Sequence, residues 1–204
     1  MKRLLVATHN PAKTKELKYG LRDLENSGVK ILTLTDVGVG EEPDETGSTF
    51  EENALLKARF YSKITGLPTL ADDGGLVIPY LNGEPGVKSA RWLGRKASDE
   101  ELIKYTLERL KDASDHERTA YLELVLCFYD PKTGKHIYEK EKIIGHIAKK
   151  PADGVQKGFP YRALLIIDKF GKYYDYLTAD EHQAINHRLI ALKRLTKGIE
   201  NLLS

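Results

Sequence analysis

The apolar residues of this chain come in short runs, and in its first part these runs alternate with segments of helical periodicity. Four consecutive apolar residues, Leu4, Leu5, Val6 and Ala7, predict a buried strand over residues 2–8. A polar loop and the start of a helix follow this strand. Further elements predicted in the same way are a strand at residues 30–34, a helix from Phe50 to about Ile64, a strand at residues 76–78 and a helix from Ser98 to Leu110.

Local capping signals support two of these helices. Thr49 and Glu52 are three positions apart, as the two members of a capping box are. Ser98 and Glu101 repeat this spacing at the later helix. Gly66 follows the first helix, where glycine commonly ends a helix in a left-handed conformation. These signals fix where the two helices begin and where the first one ends.

The second half of the chain predicts antiparallel strands and a last helix. Residues 118–129 and 135–148 have the pattern of a long hairpin around a Pro- and Gly-containing turn. Strands are predicted at residues 162–168 and 172–176, and Thr178 caps a last helix with an apolar stripe from Ile185 to Leu202. The sequence contains no internal repeat and no low-complexity linker. The chain is therefore predicted to be one α/β domain of residues 1–204, with a mixed sheet flanked by helices.

Composition narrows the class of protein. The 204 residues are 41% apolar and 30% charged, which is typical of a soluble globular protein, and the net charge of +2 argues against a nucleic-acid-binding surface. The single Cys127 cannot form an internal disulfide and lies in an apolar run, as a core thiol in a reducing compartment does. The apolar stretch in residues 1–8 is too short for a signal peptide, so we expect a cytoplasmic protein.

The stretch Leu67–Gly75 carries the strongest candidate chemistry. A short apolar run leads to Asp72 and Asp73, and two glycines follow directly. Carboxylates suit a hard divalent cation, and backbone without side chains lets anionic oxygens approach closely. The alternative is a solvated turn, since Asp and Gly dominate turns for local reasons. In both interpretations the two carboxylates are expected to stand at a strand end.

Other polar segments stand at predicted strand or helix ends. The loop from Thr8 to Lys13 lies between a strand and a helix, which is where backbone N–H groups point at an anion. The alternative is an ordinary helix cap by Asn10 with a solvated Lys13. His182 and His187 are five residues apart, which with a single cysteine argues against a zinc site.

Taken together, these motifs resemble the inosine triphosphate pyrophosphatase family, hydrolases of non-standard purine nucleoside triphosphates. The resemblance spans nearly the whole chain. The matching segments, in order, are Ala7–Lys13 with Glu16-Leu17, Glu45–Phe50 with Asn53-Ala54 and Lys57-Ala58, Ala71–Leu76, Pro85-Gly86 with Ser89–Trp92 and Gly94, and His187-Arg188.

The resemblance implies a fold, a reaction and an assembly. The fold would be an elongated mixed sheet flanked by helices, with two lobes and a central nucleotide cleft. The reaction would be Mg²⁺-dependent hydrolysis of ITP, dITP or XTP between the α- and β-phosphates, which gives the monophosphate and pyrophosphate. The resemblance also implies a homodimer with a purine nucleotide as its substrate and with no nucleic-acid or membrane partner.

The resemblance also implies roles for particular residues. Asp73 would be the general base or water-orienting carboxylate and a Mg²⁺ ligand, with Glu45 as a second metal ligand. The residues implied to bind the triphosphate are Thr8, Asn10, Lys13 and Lys57. Those implied to bind the base are Phe159, Tyr161, His182 and Arg188. The resemblance also implies that Gly74 and His187 bind the substrate.

The base-binding motif departs from the family pattern. Family members usually carry Phe-Gly-Tyr-Asp (or Trp for Tyr) where this chain has Phe159-Pro160-Tyr161-Arg162, so a carboxylate is replaced by a guanidinium. A usual lysine is His182 here. Two alternatives therefore stay open: the same chemistry on a different nucleotide, and a nucleotide-binding protein without turnover.

Overall fold

The structure is a computed structural model that describes residues 2–203. Within these residues the chain forms one seven-stranded sheet and six α-helices. The strands are β1 (Lys2–Ala7), β2 (Val29–Thr33), β3 (Thr69–Val77), β4 (Thr119–Tyr129), β5 (His136–Ile147), β6 (Leu165–Ile167) and β7 (Lys172–Tyr173). The helices are α1 (Pro11–Gly20), α2 (Arg22–Asn26), α3 (Phe50–Thr65), α4 (Asp99–Arg109), α5 (Ala179–Ile185) and α6 (His187–Leu203).

The sheet is mixed, with the strand order β2-β1-β3-β4-β5-β6-β7. β1 pairs in parallel with both β2 and β3, and Val6 lies opposite Thr33 on one side and Leu70 on the other. β6 pairs antiparallel with β5 and with β7. The predicted α/β class with a mixed sheet and flanking helices is therefore confirmed, while the two-lobed shape and the cleft stay predictions.

The described chain divides into two compact units. Unit 1 comprises residues 2–73, 124–141 and 187–203, and unit 2 comprises residues 74–123 and 142–186. The core of unit 1 holds buried residues of β1, β3 and β4 together with α1 and α6. The core of unit 2 gathers Trp92, α4 residues, β5, β6 and the segment around Tyr161. The single-domain prediction is not decided by this division and stays a prediction.

The local capping signals are confirmed. Thr49 accepts a hydrogen bond from the Glu52 backbone N–H and forms the capping box of α3, and Ser98 with Glu101 does the same for α4. Gly66 ends α3 in the left-handed region at φ 68°, where a side chain would be strained. Within residues 2–203, no helix is both long and apolar enough to cross a membrane.

Five elements differ from the prediction. The strand predicted at residues 172–176 is only Lys172–Tyr173, and a 3₁₀ helix follows at Tyr174–Tyr176. The Asp-Asp-Gly-Gly segment is the middle of the continuous strand β3, so neither a turn nor a strand end is present there. The last helix is two helices, α5 and α6, separated by the buried Asn186 in extended conformation. The strand predicted from residue 162 begins only at Leu165, after a short 3₁₀ helix at Pro160–Ala163. α2 was not predicted.

Candidate active site

The centre of the candidate site is the pair of carboxylates on β3. Asp72 and Asp73 are both buried, with 2% and 7% of their surface exposed. Successive side chains of a strand point to opposite faces of the sheet, so the two carboxylates meet different helices. Lys13 Nζ of α1 lies 3.0 Å from Asp72 Oδ2, and Lys57 Nζ of α3 lies 2.8 Å from Asp73 Oδ1. Each acid is thus paired with its own lysine.

On the Asp73 side, α3 supplies two side chains from successive turns. Lys57 Nζ also lies 3.0 Å from Glu45 Oε1, so one ammonium joins two carboxylates. Asn53, four residues earlier and 1% exposed, donates from Nδ2 to Asp73 Oδ2 at 3.3 Å. Residues four apart on a helix share a face, which is why both reach the same acid.

The orientation of the Asn53 amide is set by a neighbouring glycine. The Gly47 backbone N–H donates to Asn53 Oδ1 at 2.8 Å, which leaves the amide nitrogen facing Asp73. A side chain at residue 47 would not fit, because a Cβ there would lie 2.6 Å from Asn53 Oδ1 and 2.8 Å from the Cβ of Glu52. The absence of a side chain at Gly47 therefore permits the contact that positions Asp73.

On the Asp72 side, the acid joins three elements of unit 1. Arg188 Nη2, at the start of α6, lies 3.1 Å from Asp72 Oδ2, and Arg188 Nη1 lies 2.6 Å from Glu16 Oε2 of α1. Lys13 shares the same Asp72 oxygen. Asp72 Oδ1 is buried and has no hydrogen-bond partner among the described residues.

The loop before α1 has the geometry of a helix cap. Asn10 Oδ1 accepts from the backbone N–H groups of Ala12 and Lys13 at 2.9 and 3.2 Å, and Thr8 Oγ1 accepts from the Asn10 N–H at 3.2 Å. The alternative interpretation of Asn10 as an N-cap is therefore confirmed. Lys13 is not a merely solvated side chain, because it reaches Asp72.

The electrostatics of the two acids differ. Burial disfavours the charged form of Asp72, but Lys13 and Arg188 outweigh it and hold the pKa of this carboxyl well below its ordinary value. At Asp73 burial is the larger effect, and its pKa is raised despite Lys57 and Lys13. Burial also opposes the charge on Lys57, yet Asp73, Asp72 and Glu45 raise the pKa of its ammonium. Because each lysine acts on both acids, the two pairs are one electrostatic cluster.

The remaining residues predicted to bind the substrate fall in two places. His187 and Arg188 belong to unit 1, whereas Phe159, Tyr161 and His182 belong to unit 2, as does Gly74. Tyr161 is buried, and its hydroxyl donates to the Ser89 carbonyl at 2.6 Å.

In unit 2 the guanidinium of Arg162 is buried among aromatic rings. It lies 3.5 Å from the centroid of the Phe159 ring and 4.7 Å from that of Tyr174, and only 2% of the residue is exposed. Tyr174 Oη is 3.0 Å from His182 Nε2. One face of Phe159 is therefore covered by a cation from its own unit.

Three contributors to this site were not assigned roles from the sequence. Asn53, Glu16 and the contacts of Asp72 emerge only when distant segments meet, since Glu16 and Arg188 are 172 positions apart. The one available signal was the four-residue spacing of Asn53 and Lys57. No group of three or more metal-binding side chains occurs within residues 2–203.

A parallel β1-β3 pair with a buried acid–lysine cluster defines the class: an α/β protein with paired ionised side chains on a central strand of a mixed sheet. The sequence model of the Ham1 family matches residues 4–198. A Bacillus subtilis protein named dITP/XTP pyrophosphatase is 39% identical over 200 residues, covering 98% of each chain. The solved structure of a HAM1 protein from Coxiella burnetii has a TM-score of 0.85 and 35% identity, covering 98% of this chain and 100% of that one.

A second solved structure, a nucleoside-triphosphatase / dITP/XTP pyrophosphatase from Mycobacterium abscessus, has a TM-score of 0.76 and 40% identity, and covers 95% of this chain and 98% of that one. This chain belongs to the Ham1 family. The resemblance to the inosine triphosphate pyrophosphatase family, drawn from its motifs, is thereby confirmed.

Proposed function

We propose that this protein hydrolyses non-standard purine nucleoside triphosphates, such as dITP, ITP and XTP, to the monophosphate and pyrophosphate. The observation that carries the proposal is the buried cluster on β3, in which Asp72 and Asp73 are each paired with a lysine. The relatives named dITP/XTP pyrophosphatase support the same reaction.

The cations of unit 1 bind the phosphates in this proposal. Lys13 and Lys57 are held by carboxylates, so their ammonium groups are already positioned before a nucleotide arrives. Fixed cations stabilise the negative charge that builds up on the leaving pyrophosphate, at little reorganisation cost. The N–H groups at the start of α1, after Thr8 and Asn10, supply further donors for an anion.

Asp73 accepts the proton of the attacking water. A general base works best when its pKa is close to the working pH, and burial raises the pKa of Asp73 in that direction. Asn53 donates a hydrogen bond to one carboxylate oxygen of Asp73, and this contact fixes the orientation of the whole carboxylate. Asp73 is thus the catalytic residue, and Asn53 is a positioning residue that acts through it.

The donor set fits a magnesium ion. Mg²⁺ is usually bound by one or two carboxylates together with substrate phosphates, so a cluster of three protein ligands is not required. Glu45 and Asp73 already converge on one cation, the Lys57 ammonium, so two carboxylates lie within reach of a common positive charge. When bound there, Mg²⁺ would neutralise phosphate charge as a Lewis acid.

The test is pyrophosphate release from ITP, dITP, XTP, GTP and ATP, with and without Mg²⁺. The wild-type protein is expected to favour the first three and to need the metal. Asp73→Asn is expected to lower kcat by about 10²- to 10⁴-fold, the usual range for a lost general base. Far-UV circular dichroism and a urea melt check that this variant is folded.

Asp23→Asn is the matched control, since Asp23 is an exposed acid of α2 in the same unit. Its kcat is expected to equal that of the wild type. Full activity in Asp73→Asn would remove Asp73 from its role. Release from a canonical nucleotide alone would favour the alternative of a different substrate, for which the burial of Arg162 against Phe159 is the motivating observation.

We also propose a homodimer in the cytoplasm. The resemblance supports the dimer, and the lone buried thiol of Cys127 agrees with a reducing compartment. Light scattering coupled to size-exclusion chromatography tests the assembly: a mass near twice 23.0 kDa is expected, and a mass near 23.0 kDa would contradict it.

A further inference from the structure

Unit 2 contains a small cavity outside the acid–lysine cluster. Its volume is about 170 Å³, the room taken by roughly six water molecules in the liquid. The cavity is lined by Gly154, Gln156, Tyr174, Asp175, Leu177 and His182. It therefore combines a tyrosine ring, a leucine side chain, a carboxylate and an imidazole in a space large enough for a heterocyclic ring.

Asp175 is the unexplained group in this wall. Its Oδ2 atom is buried and has no hydrogen-bond partner among the described residues. A backbone hydrogen bond from Gln156 and the charge of Arg162 act on this carboxylate, but burial outweighs both and raises its pKa. A buried acceptor without a partner is costly, and such a group in a native structure calls for a specific donor.

Arg162 does not lie open to a ligand as a counter-ion would. Its guanidinium is buried and lies over the rings of Phe159 and Tyr174. The charge of this buried cation acts on the Asp175 carboxylate. The charge at residue 162 is reversed relative to the family pattern, and Asp175 supplies an acid in the same unit.

We propose that the Asp175 carboxylate determines base specificity by accepting a hydrogen bond from the N1–H of a 6-oxopurine bound in this cavity. The inference rests on the proposed function, because it takes the base of the nucleotide substrate as the ligand. A 6-oxopurine carries a hydrogen on N1, whereas a 6-aminopurine presents a bare lone pair there. An acceptor at this point therefore binds the first and repels the second.

Another side chain of the cavity wall suits the O6 atom, which lies beside N1 on the same edge of the purine. The imidazole of His182 can donate an N–H to an O6 carbonyl, and its Nε2 is 3.0 Å from Tyr174 Oη, which orients the ring. Hydrogen-bonding sites reject analogues that leave a buried polar group unpaired far more strongly than apolar pockets reject a wrong shape. One carboxylate can thus produce a large preference.

The experiment compares Asp175→Asn with the wild type in two assays. The first is the ratio of kcat/KM for ITP over ATP, and the second is calorimetric titration with IMP and with AMP. The Asn amide can donate to the bare N1 of adenine, so both preferences are expected to fall by roughly 10- to 100-fold, the loss of one buried hydrogen bond. A purely structural defect would lower both rates together and leave the ratio unchanged.

Asp180→Asn is the control, because Asp180 is an exposed acid in the first turn of α5 and does not line the cavity. It is expected to keep the wild-type ratio. An unchanged ratio in Asp175→Asn would overturn the inference. If the wild type releases no pyrophosphate, the proposed function fails, and the titrations alone decide the inference. The inference is then overturned if the wild type does not bind IMP. It is also overturned if Asp175→Asn does not weaken the binding of IMP relative to that of AMP.

Discussion

Replacing Asp72 with Asn should destabilise the protein, because it removes the central charge of a buried network. Asp72 is 2% exposed and contacts both Lys13 and Arg188. Breaking a buried ion pair typically costs about 3–5 kcal/mol, since an uncompensated charge stays behind. Here Arg188 keeps Glu16, and the side chain of Lys13 is 20% exposed, so we expect a loss near the lower end, about 3 kcal/mol.

The pH dependence of this loss follows from the direction of the pKa shift. The folded state lowers the pKa of Asp72 from its ordinary value of 3.8. A depressed carboxyl pKa gives stability that is fully present above the ordinary value and is lost as the pH falls through the folded one. The difference between wild type and Asp72→Asn should therefore be constant from pH 7 to about 5 and should narrow below pH 3.8.

Urea unfolding measured at several pH values provides the assay. The midpoint and the slope are recorded by circular dichroism and by fluorescence, and coincident curves support a two-state analysis. The control is Glu108→Gln, which removes an exposed partner of Lys111 and should change the free energy of unfolding by less than about 1 kcal/mol. A loss at pH 7 no larger than that of the control would refute the reasoning about the buried network.

Three other predictions concern single sites. Gly47→Ala should lower kcat roughly 10- to 100-fold by displacing Asn53 from its acid, and steady-state kinetics at the wild-type level would contradict this. Thr49→Ala should cost about 1 kcal/mol by removing the cap of α3; a melting temperature within error of the wild type would speak against that role. Burial raises the pKa of Cys127 to about 12, so iodoacetamide at pH 8 should leave the native thiol unmodified and alkylate it only in guanidinium; equal rates in both states would show the thiol to be accessible.

The elements predicted correctly are those governed by neighbouring residues. Thr49 and Glu52 satisfy each other's backbone groups within one turn, so their spacing alone places the start of α3. The consecutive apolar residues of β1 likewise require burial on both faces, whatever lies elsewhere in the chain. Such local information fixed the α/β class.

The strand through Asp72–Gly75 could not be predicted, because distant packing overrides the local preference for a turn. Gly75 lies so close to Ser89 that a Cβ there would be 1.9 Å from Ser89 Oγ. The Ser89 hydroxyl, in turn, accepts a hydrogen bond from the Leu76 N–H. This close approach needs a glycine in extended conformation, and the pair of glycines that suggested a turn serves the strand instead.

The candidate site was predicted only in part, because the sequence does not show which distant side chains come into contact. Lys13, Lys57 and Asp73 were recognisable as charged residues in matching motifs. The amide of Asn53 and the Arg188–Glu16 pair were not, because their role depends on which oxygen each of them meets. The burial of Arg162 among aromatic rings also has no signature in the sequence, where the residue simply looks like a reversed charge.

The balance of positive and negative side chains around β3 affects how two ligands at this site change each other's affinity. Three cations, Lys13, Lys57 and Arg188, are set among four carboxylates, those of Glu16, Glu45, Asp72 and Asp73. The cluster therefore carries no surplus of positive charge with which to neutralise a triphosphate. In the proposed reaction, a divalent cation bound with the nucleotide would supply the missing positive charge, and by thermodynamic linkage each ligand would then tighten the binding of the other by the same factor.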